Sequence, residues 1–362
     1  MVKDLIKLAE QHLHIQSHKR SMKHPKLTDL FWETTLRCNA HCQHCGSNAS
    51  PSERYDELRT HEILDTFAHI AENMDASKIF VHVTGGEPTL RKDVFHVMKV
   101  ASDTYGFRWG MTSNGMLWNE SMIQQAKDAN MSSISISIDG MKETHDIFRG
   151  VLGSYQAVLE NVRLLRDASF VKHLQVITVL HKHNIHELDE MYEVMSGLGL
   201  HSWRLTSVDP IGRANQNSHL MLDGNEHRLL LDFIKTKRKT SVLPLLYGCS
   251  SYLGFDYERE VRGHYFKCRT GVSIASILHN GYISVCPNAP RDPSYIQGNV
   301  RFDSFVDVWN QRFSMFRRAD RTISDACESC EDVIHCLGGS FHTWDPVGKV
   351  QNKCVRRLIC DT

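Results

Sequence analysis

The chain has 362 residues, 41% of them hydrophobic, with 42 lysines and arginines balanced by 42 aspartates and glutamates. That length allows two or three domains, each with a substantial core, and the balanced charge sets up no general field for nucleic acid or an anionic membrane. No run approaches the roughly 18 apolar residues of a membrane helix, and residues 1–26 lack the apolar centre of a signal peptide. A cytoplasmic protein is expected, with a helical or loose leader over residues 1–28. From about residue 30 to 206, short apolar strands alternate with amphipathic helical stretches. Strands are expected at 31–36, 79–84, 108–112, 133–138, 174–180 and 202–205, and helices at 59–74, 92–105, 120–129, 155–167 and 185–198. Six strand–helix units predict an α/β fold with a parallel sheet of right-handed crossovers. They are too few to close a full eight-unit barrel. Residues 207–245 read as a connector containing a helix at 225–239. Its basic string Lys235-Thr-Lys-Arg-Lys239 lies at the helix end, where cations favour the dipole.

Eleven cysteines stand at 38, 42, 45, 249, 268, 286, 327, 330, 336, 354 and 360, leaving 46–248 bare. In a reducing compartment such clusters suit metal binding better than disulfides, and two blocks imply two metal-bearing modules. The run Cys38-Asn-Ala-His-Cys42-Gln-His-Cys45 directly follows the first strand. Three thiolates can hold three corners of a cubic iron–sulfur cluster. The fourth iron is then open, as in a catalytic metal site rather than a closed structural one. A structural zinc knuckle completed by His41 or His44 fits the same run. After the second strand comes Thr84-Gly85-Gly86-Glu87-Pro88, whose paired glycines allow close backbone approach to a ligand. Thr112-Ser113-Asn114-Gly115 follows the third strand and Ser137-Ile-Asp139-Gly140 the fourth. Ser137 and Asp139 share a face of their strand, although Asn-Gly and Asp-Gly are also ordinary turn signals.

Together, the CxxxCxxC run and the Gly-Gly-Glu-Pro segment resemble the radical SAM enzymes. The resemblance implies a partial (β/α)6 TIM-like barrel with its active groups at the C-terminal ends of the strands. It implies a [4Fe-4S] cluster on Cys38, Cys42 and Cys45 whose open iron chelates the amino and carboxyl groups of S-adenosyl-L-methionine. In the same way Gly85, Gly86, Glu87 and Pro88 would hold the methionyl amino group. Thr112, Asn114, Ser137 and Asp139 would contact ribose and carboxylate, and Arg149 is a further candidate for the carboxylate. Residues 176–179 would flank the adenine. The aromatic residue that relatives carry before the third cysteine is here His44, still flat and able to stack.

Toward the C-terminus, Cys268 is followed by twelve residues, Gly281, four residues and Cys286; then come Cys327-x2-Cys330-x5-Cys336 and Cys354. This pattern resembles the SPASM domain, which carries auxiliary iron–sulfur clusters. Six of that domain's seven cysteines are present, and Ser340 takes the place of the seventh. The resemblance assigns Cys327, Cys330, Cys336 and Cys354 to a distal cluster. Cys249, Cys268 and Cys286 would hold a proximal cluster with Ser340, Cys360 or His342 in the fourth position, or no proximal cluster forms. One or two auxiliary [4Fe-4S] clusters are expected; a pair of zinc sites satisfies the spacing too. The expected division is a leader at 1–28, the partial barrel at 29–206, the connector at 207–245 and the SPASM-like domain at 246–362. Shorter stretches, Cys45-Gly-Ser-Asn, Trp203-Arg-Leu, Ile211-Gly-Arg and Tyr247-Gly-Cys249, look like a SPASM subgroup of anaerobic bacteria and archaea. Some of its members are named for a neighbouring lipoprotein.

The chemistry implied by the resemblance is one-electron reduction of the bound sulfonium, giving methionine and a 5′-deoxyadenosyl radical that takes a hydrogen atom from substrate. Cluster potentials span about −700 to +450 mV, and this step needs the low end, supplied by a donor such as flavodoxin or ferredoxin. The expected substrate is a peptide or protein side chain. A small-molecule or cofactor-precursor substrate is the alternative, and a non-catalytic iron–sulfur carrier a third reading, against which the intact Gly85–Pro88 segment argues. Neither nucleic acid nor membrane insertion is expected. Asp209, Arg204 and His342 all remain candidates for a catalytic acid or base.

Overall fold

Period-two alternation in the strands sets the layers of the molecule. In β1 (Asp29–Glu33), Leu30 and Trp32 are buried while Asp29 and Phe31 are half-exposed. β2 (Phe80–Thr84) and, further on, β4 (Ser133–Ser137) alternate in the same way, burying Val81, Val83, Ile134 and Ile136. Between these strands run α2 (Thr60–Asn73), α3 (Val94–Tyr105), β3 (Arg108–Ser113) and α4 (Glu120–Asp128), all after an N-terminal helix α1 (Val2–Lys23). The chain continues through α5 (Lys142–Arg149), α6 (Ser154–Ala168), β5 (His173–Leu180), α7 (Leu188–Gly197), β6 (Ser202–Ser207), α8 (Gly224–Thr240) and β7 (Leu245–Tyr247). The C-terminal part holds β8 (Ile274–Ile277), β9 (Tyr282–Ser284), β10 (Ile296–Asn299), α9 (Phe305–Gln311) and α10 (Val333–Cys336). It ends in the hairpin β11 (Trp344–Asp345) and β12 (Val350–Gln351), followed by α11 (Val355–Cys360). This computed structural model describes residues 2–51, 56–248, 251–319, 323–345 and 347–360.

The strands form one ten-stranded sheet in the order β10-β9-β8-β1-β2-β3-β4-β5-β6-β7. β1 to β7 are parallel, as six strand–helix units require, with β7 a seventh strand that the sequence reading missed. The apolar face takes the helices: Ile63, Phe67 and Ile70 of α2 share one core with Trp32, Trp109, Ile134 and Trp203, and Phe67 meets Trp32 edge-on at 5.9 Å. The opposite face is polar. Register places His82 beside Gly110, Thr112 beside Ser135, Ser135 beside Gln175 and Ile177 beside Arg204. Helices pack on one face while the other carries polar residues, some of them buried such as Gln175, so these parallel strands alternate instead of running continuously apolar.

β8 pairs in parallel with β1 along Asp29↔Ile274 to Trp32↔Ile277, so the cysteine-rich part continues the sheet of the first. The leader is a single helix docked on that part: Gln11 Nε2 donates to Tyr252 Oη at 2.8 Å, and Met22 packs with Val272 and Leu337. Among the described residues no helix is long and apolar enough to cross a membrane.

Candidate active site

The loop after β1 carries Cys38, Cys42 and Cys45, and α5 holds one side of it. A helix ends with carbonyls that lack intrahelical partners. Here two of them, Arg149 O and Phe148 O, accept from His41 N and Gln43 N at 3.0 Å each. Cys38 and Cys42 are buried with Ala40 and Ala49 in one small cluster, and the half-buried Cys45 packs against it. Burial pushes the Cys38 thiol up to about 11, with Cys42, Glu87 and Cys45 adding to the rise against an N–H from Ala40. Burial also raises the Cys42 thiol, partly offset by Arg149. Three thiols close enough to oppose one another's ionisation become thiolates only with a cation among them. That donor set fits a cluster. His44 is committed elsewhere: its ring lies flat on Phe148, 4.4 Å between centroids and 3° between planes, with Nε2 3.9 Å from Asp139 Oδ2. His41 is exposed.

The Gly-Gly-Glu-Pro turn leaves β2 and packs on the segment after β1. Gly86 N donates to Thr35 O at 2.7 Å and Glu87 N to Arg37 O at 2.8 Å. A Cβ on Gly86 would stand 2.2 Å from Arg37 O, so the close approach that needs these glycines is to the chain's own backbone. Glu87 is fully buried and reaches the end of β3: its carboxylate accepts from Thr89 Oγ1 at 2.7 Å, Ser113 Oγ at 2.9 Å and Asn114 N at 2.8 Å. Asn114 Nδ2 lies 3.9 Å from Cys38 Sγ and donates to Asn39 at 2.7 Å. Asn114 thus stands beside the thiols, whereas Thr112 and Ser137 are half-buried further along the same strand ends.

Asp139, two residues beyond β4, is buried inside the protein. It pairs with Arg149 Nη2 at 2.5 Å and accepts from Val179 N at 2.7 Å, while Arg149 Nη1 is 3.5 Å from Cys42 Sγ. Despite burial, Arg149, then His44 and His145, hold the Asp139 carboxyl below its ordinary range. Phe148 is sandwiched, with His181 stacked on it at 3.8 Å. Burial lowers His44 to about 3 and His181 to about 4, so both rings are neutral. His44 Nδ1, Arg149 Nε and His181 Nε2 are buried without a hydrogen-bond partner. Such atoms rarely go unpaired in a finished interior; around three thiols at strand ends they fit a polar ligand. The sequence reading had passed over His181 and Phe148, whose only signal was their place just after a strand and just before Arg149.

In the second module Cys327, Cys330, Cys336 and Cys354 converge. Burial raises the Cys336 thiol well above its ordinary value, and Cys354, Cys327 and Cys330 push it further. Cys330 N donates to Cys327 O at 3.1 Å, the tight turn that a Cys-x2-Cys spacing gives. Cys268 is buried and Cys286 half-buried, both against the main core. Tyr295, whose phenol feels the Cys268 thiol, donates to Phe341 O and Trp344 O at 3.0 and 2.7 Å, beside the buried Ser340. Cys249 lies outside the described residues, and Cys360 is exposed at the end of α11. His342 is bonded to Asp209 at 3.1 Å, and Asp209 in turn to Lys353 Nζ at 2.7 Å. This link from β6 to the residue before Cys354 had no signal in the sequence. Among the described residues, no three His, Cys, Asp or Glu close in on a point as a single metal ion requires. A cubane takes each thiolate on a separate iron.

Between the loop of the three cysteines and the second module lies a cleft of about 490 Å³, lined among others by Gly46, Arg213, Arg291, Tyr295, His342 and Asp345.

Residues 32–195 match the radical SAM superfamily, and residues 268–331 match the SPASM iron–sulfur cluster-binding domain. The chain is 28% identical over 333 residues to the AdoMet-dependent heme synthase of Nitratidesulfovibrio vulgaris, covering 85% of this chain and 86% of that one. It is 26% identical over 350 residues to the PqqA peptide cyclase of Rhizobium meliloti, covering 92% and 88%. In fold it resembles Streptococcus suis SuiB bound to S-adenosylmethionine, with a TM-score of 0.68 at 16% identity over 88% of this chain and 74% of the other. Its cofactors are therefore a [4Fe-4S] cluster with S-adenosylmethionine and auxiliary iron–sulfur clusters. With both modules present in one continuous sheet, the chain belongs to the radical SAM superfamily and carries a SPASM domain.

Proposed function

We propose that this radical SAM enzyme oxidises a peptide or protein side chain at an unactivated C–H bond. The observation that carries the reading is the packing of half-buried Cys45 against the buried pair Cys38 and Cys42, beside orphaned polar atoms at the strand ends. Bound there, a reduced cluster with S-adenosylmethionine would supply one-electron cleavage of the sulfonium and so a radical able to abstract hydrogen. The protein's own part is to bind, orient and exclude water. Cys38, Cys42 and Cys45 hold the cluster. The turn of Gly85, Gly86, Glu87 and Pro88, stiffened by Glu87, is assigned to the methionyl end. Thr112, Asn114, Ser137 and Asp139 are assigned to ribose and carboxylate, with Arg149 for the carboxylate and His44 toward the adenine. Arg149 lies against Asp139 and Cys42, so serving a carboxylate requires it to exchange the Asp139 contact for the ligand.

The Cys327, Cys330, Cys336 and Cys354 set, and a proximal site on Cys249, Cys268 and Cys286, would accept the substrate's remaining electron. A low-potential donor of the flavodoxin or ferredoxin kind would supply the electron that starts the cycle. We place the enzyme in the cytoplasm, where its thiols stay reduced.

A second reading has its own support: similarity to a heme synthase covers 85% of the chain, which favours a tetrapyrrole carrying carboxylates. The test is anaerobic incubation of reconstituted enzyme with S-adenosylmethionine, reductant and either candidate peptides from its own gene neighbourhood or an iron porphyrin. Release of 5′-deoxyadenosine with a mass change in the peptide supports the first reading. A mass change in the porphyrin alone transfers the assignment to the second, and no 5′-deoxyadenosine under strong reductant overturns both.

A further inference from the structure

The segment after β6 grips the cysteine loop from the side that α5 leaves open. Arg213 N donates to Cys45 O at 3.0 Å, Arg213 Nε to Cys42 O at 2.9 Å, and Nη1 to Ala49 O at 2.7 Å and Asn48 Oδ1 at 3.2 Å. Asn217 Nδ2 adds a bond to Gln43 O at 3.0 Å. Gly212, with φ +58°, makes the approach possible: a Cβ there would stand 2.4 Å from Cys45 O and 2.5 Å from Gly46 O. Two of the loop's N–H groups, His41 and Gln43, are thus held by α5, and the carbonyls of Cys42, Gln43, Cys45 and Ala49 by Arg213 and Asn217. Within the loop itself only long bonds reach these carbonyls, Cys45 N to Cys42 O and Asn48 N to Cys45 O at 3.3 Å each, and the shorter bonds that brace its shape come from both sides.

The gripping segment is itself anchored. Four residues before Arg213, Asp209 is fixed by Lys353 and His342 of the second module. Against the opposing effect of desolvation, Lys353 and then His342 hold the half-buried Asp209 carboxyl well below its ordinary range, so it stays ionised and paired. Lys353 Nζ is saturated by Ser207 Oγ, Val208 O and Asp209 Oδ1 at 2.7–2.8 Å. A strap therefore runs from the residue before Cys354, through Asp209, to the carbonyls of Cys42 and Cys45.

We propose that Arg213 is a positioning residue for the N-terminal cluster: its planar fork fixes the loop that presents the three thiolates, and Asp209 ties that fork to the auxiliary-cluster module. The inference rests on the assignment of Cys38, Cys42 and Cys45 to the cluster. A guanidinium can reach three separated oxygens in fixed directions, which a lysine ammonium cannot. Outer partners of metal ligands typically matter about 10- to 100-fold in metal affinity or activity.

The test compares full-length Arg213→Ala, Arg213→Lys and Asn217→Ala with the unaltered enzyme, each reconstituted anaerobically and reduced. Two readouts are taken besides turnover: loss of iron to a chelator, and the change in the electron paramagnetic resonance signal on adding S-adenosylmethionine. Both arginine variants are expected to keep their C-terminal iron, to yield the N-terminal iron about 10- to 100-fold more readily, and to lose the S-adenosylmethionine-induced change. Asn217→Ala moves both readouts in the same direction by less. Unaltered chelation and an unaltered signal change in Arg213→Ala overturn the inference, as does full rescue by Arg213→Lys, which would make the effect one of charge. Should Arg213→Ala fail to fold, unaltered readouts in Asn217→Ala overturn it instead. An unaltered enzyme with no signal change on S-adenosylmethionine removes the cluster assignment itself, a distinguishable result.

Discussion

Glu87 and His145 are buried ionisable groups whose side chains hold backbone N–H groups in place. Burial pushes the Glu87 carboxyl up, while donors from Asn114, Thr89 and Ser113 pull it back. The residue therefore spends its acceptor capacity joining the turn after β2 to the end of β3. His145 lies on α5 and accepts Asp139 N–H on Nδ1 at 3.0 Å, which requires an unprotonated Nδ1. Burial, then the neighbouring Arg149 charge, lowers it to about 4, against weaker upward pulls from Asp139 and Asp146. The sign follows from linkage: between about 6.5 and 4 the unfolded chain binds a proton that the folded one refuses, so stability is full above about pH 6.5 and falls as pH drops toward 4. At pH 5.5 the loss from this one residue is about 1 kcal/mol. Thermal midpoints at pH 7.5, 6.5 and 5.5 should decline in the unaltered enzyme and decline less in His145→Gln. Parallel declines in the two would remove His145 as a source of the acid sensitivity.

At the scale of elements, each strand delivers its chemistry through the turn that follows it, and the turns are locked to one another. Gly86 shows the consequence. Adding a methyl forces the turn away from Arg37 O, 2.2 Å from the new Cβ, and breaks the bonds of Gly86 N and Glu87 N to the segment after β1. Each bond is worth about 1 kcal/mol net, but the larger effect is on placement, because the same segment leads directly into Cys38. Gly86→Ala should retain C-terminal iron while losing the N-terminal cluster and 5′-deoxyadenosine formation, as iron counts per chain would show; full N-terminal iron would mean that the turn tolerates displacement. The six parallel strands were legible because their alternation is local, and Cys38 to Cys45 and Gly85 to Pro88 because each motif is contiguous. α5 was missed because it is eight residues long, with its buried side drawn largely from His145, Asp146 and Arg149 rather than from an apolar stripe. Arg213, Lys353 and His342 were invisible in role because their partners stand more than a hundred residues away in sequence, a distance no periodicity spans.

On the scale of the whole molecule, the two metal modules are not beads on a string. β8 completes the edge of β1, and Leu30 and Trp32, buried at that junction, sit in the same core as Ala275 and Ile277. Arginines of the second module reinforce the seam. Arg291 bonds to the buried Glu33 at the end of β1, where His279 Nδ1 also lies 2.8 Å away, and Arg291 reaches Ser47 of the cysteine loop. Arg301 pairs with Asp56 at 2.5 Å and with Glu62 of α2 at 2.8 Å. Removing everything after Tyr247 would leave the ladder groups of Asp29–Glu33 unpaired on their outer side. A bare, flat and apolar strand edge invites pairing with other chains. It would also free the cysteine loop from Arg291 and, through the loss of Lys353 and His342, release Asp209 and the strap that holds Arg213. A chain truncated after Tyr247 is therefore expected to aggregate and to hold no S-adenosylmethionine-responsive cluster. Cys327→Ala with Cys330→Ala, which empties the distal site but keeps the sheet intact, is expected to stay monodisperse with its N-terminal cluster in place. A soluble truncated chain that still cleaves S-adenosylmethionine would show that the first module needs neither the β8 edge nor the Asp209 anchor, since a catalytic loop gripped from one side only would then be enough.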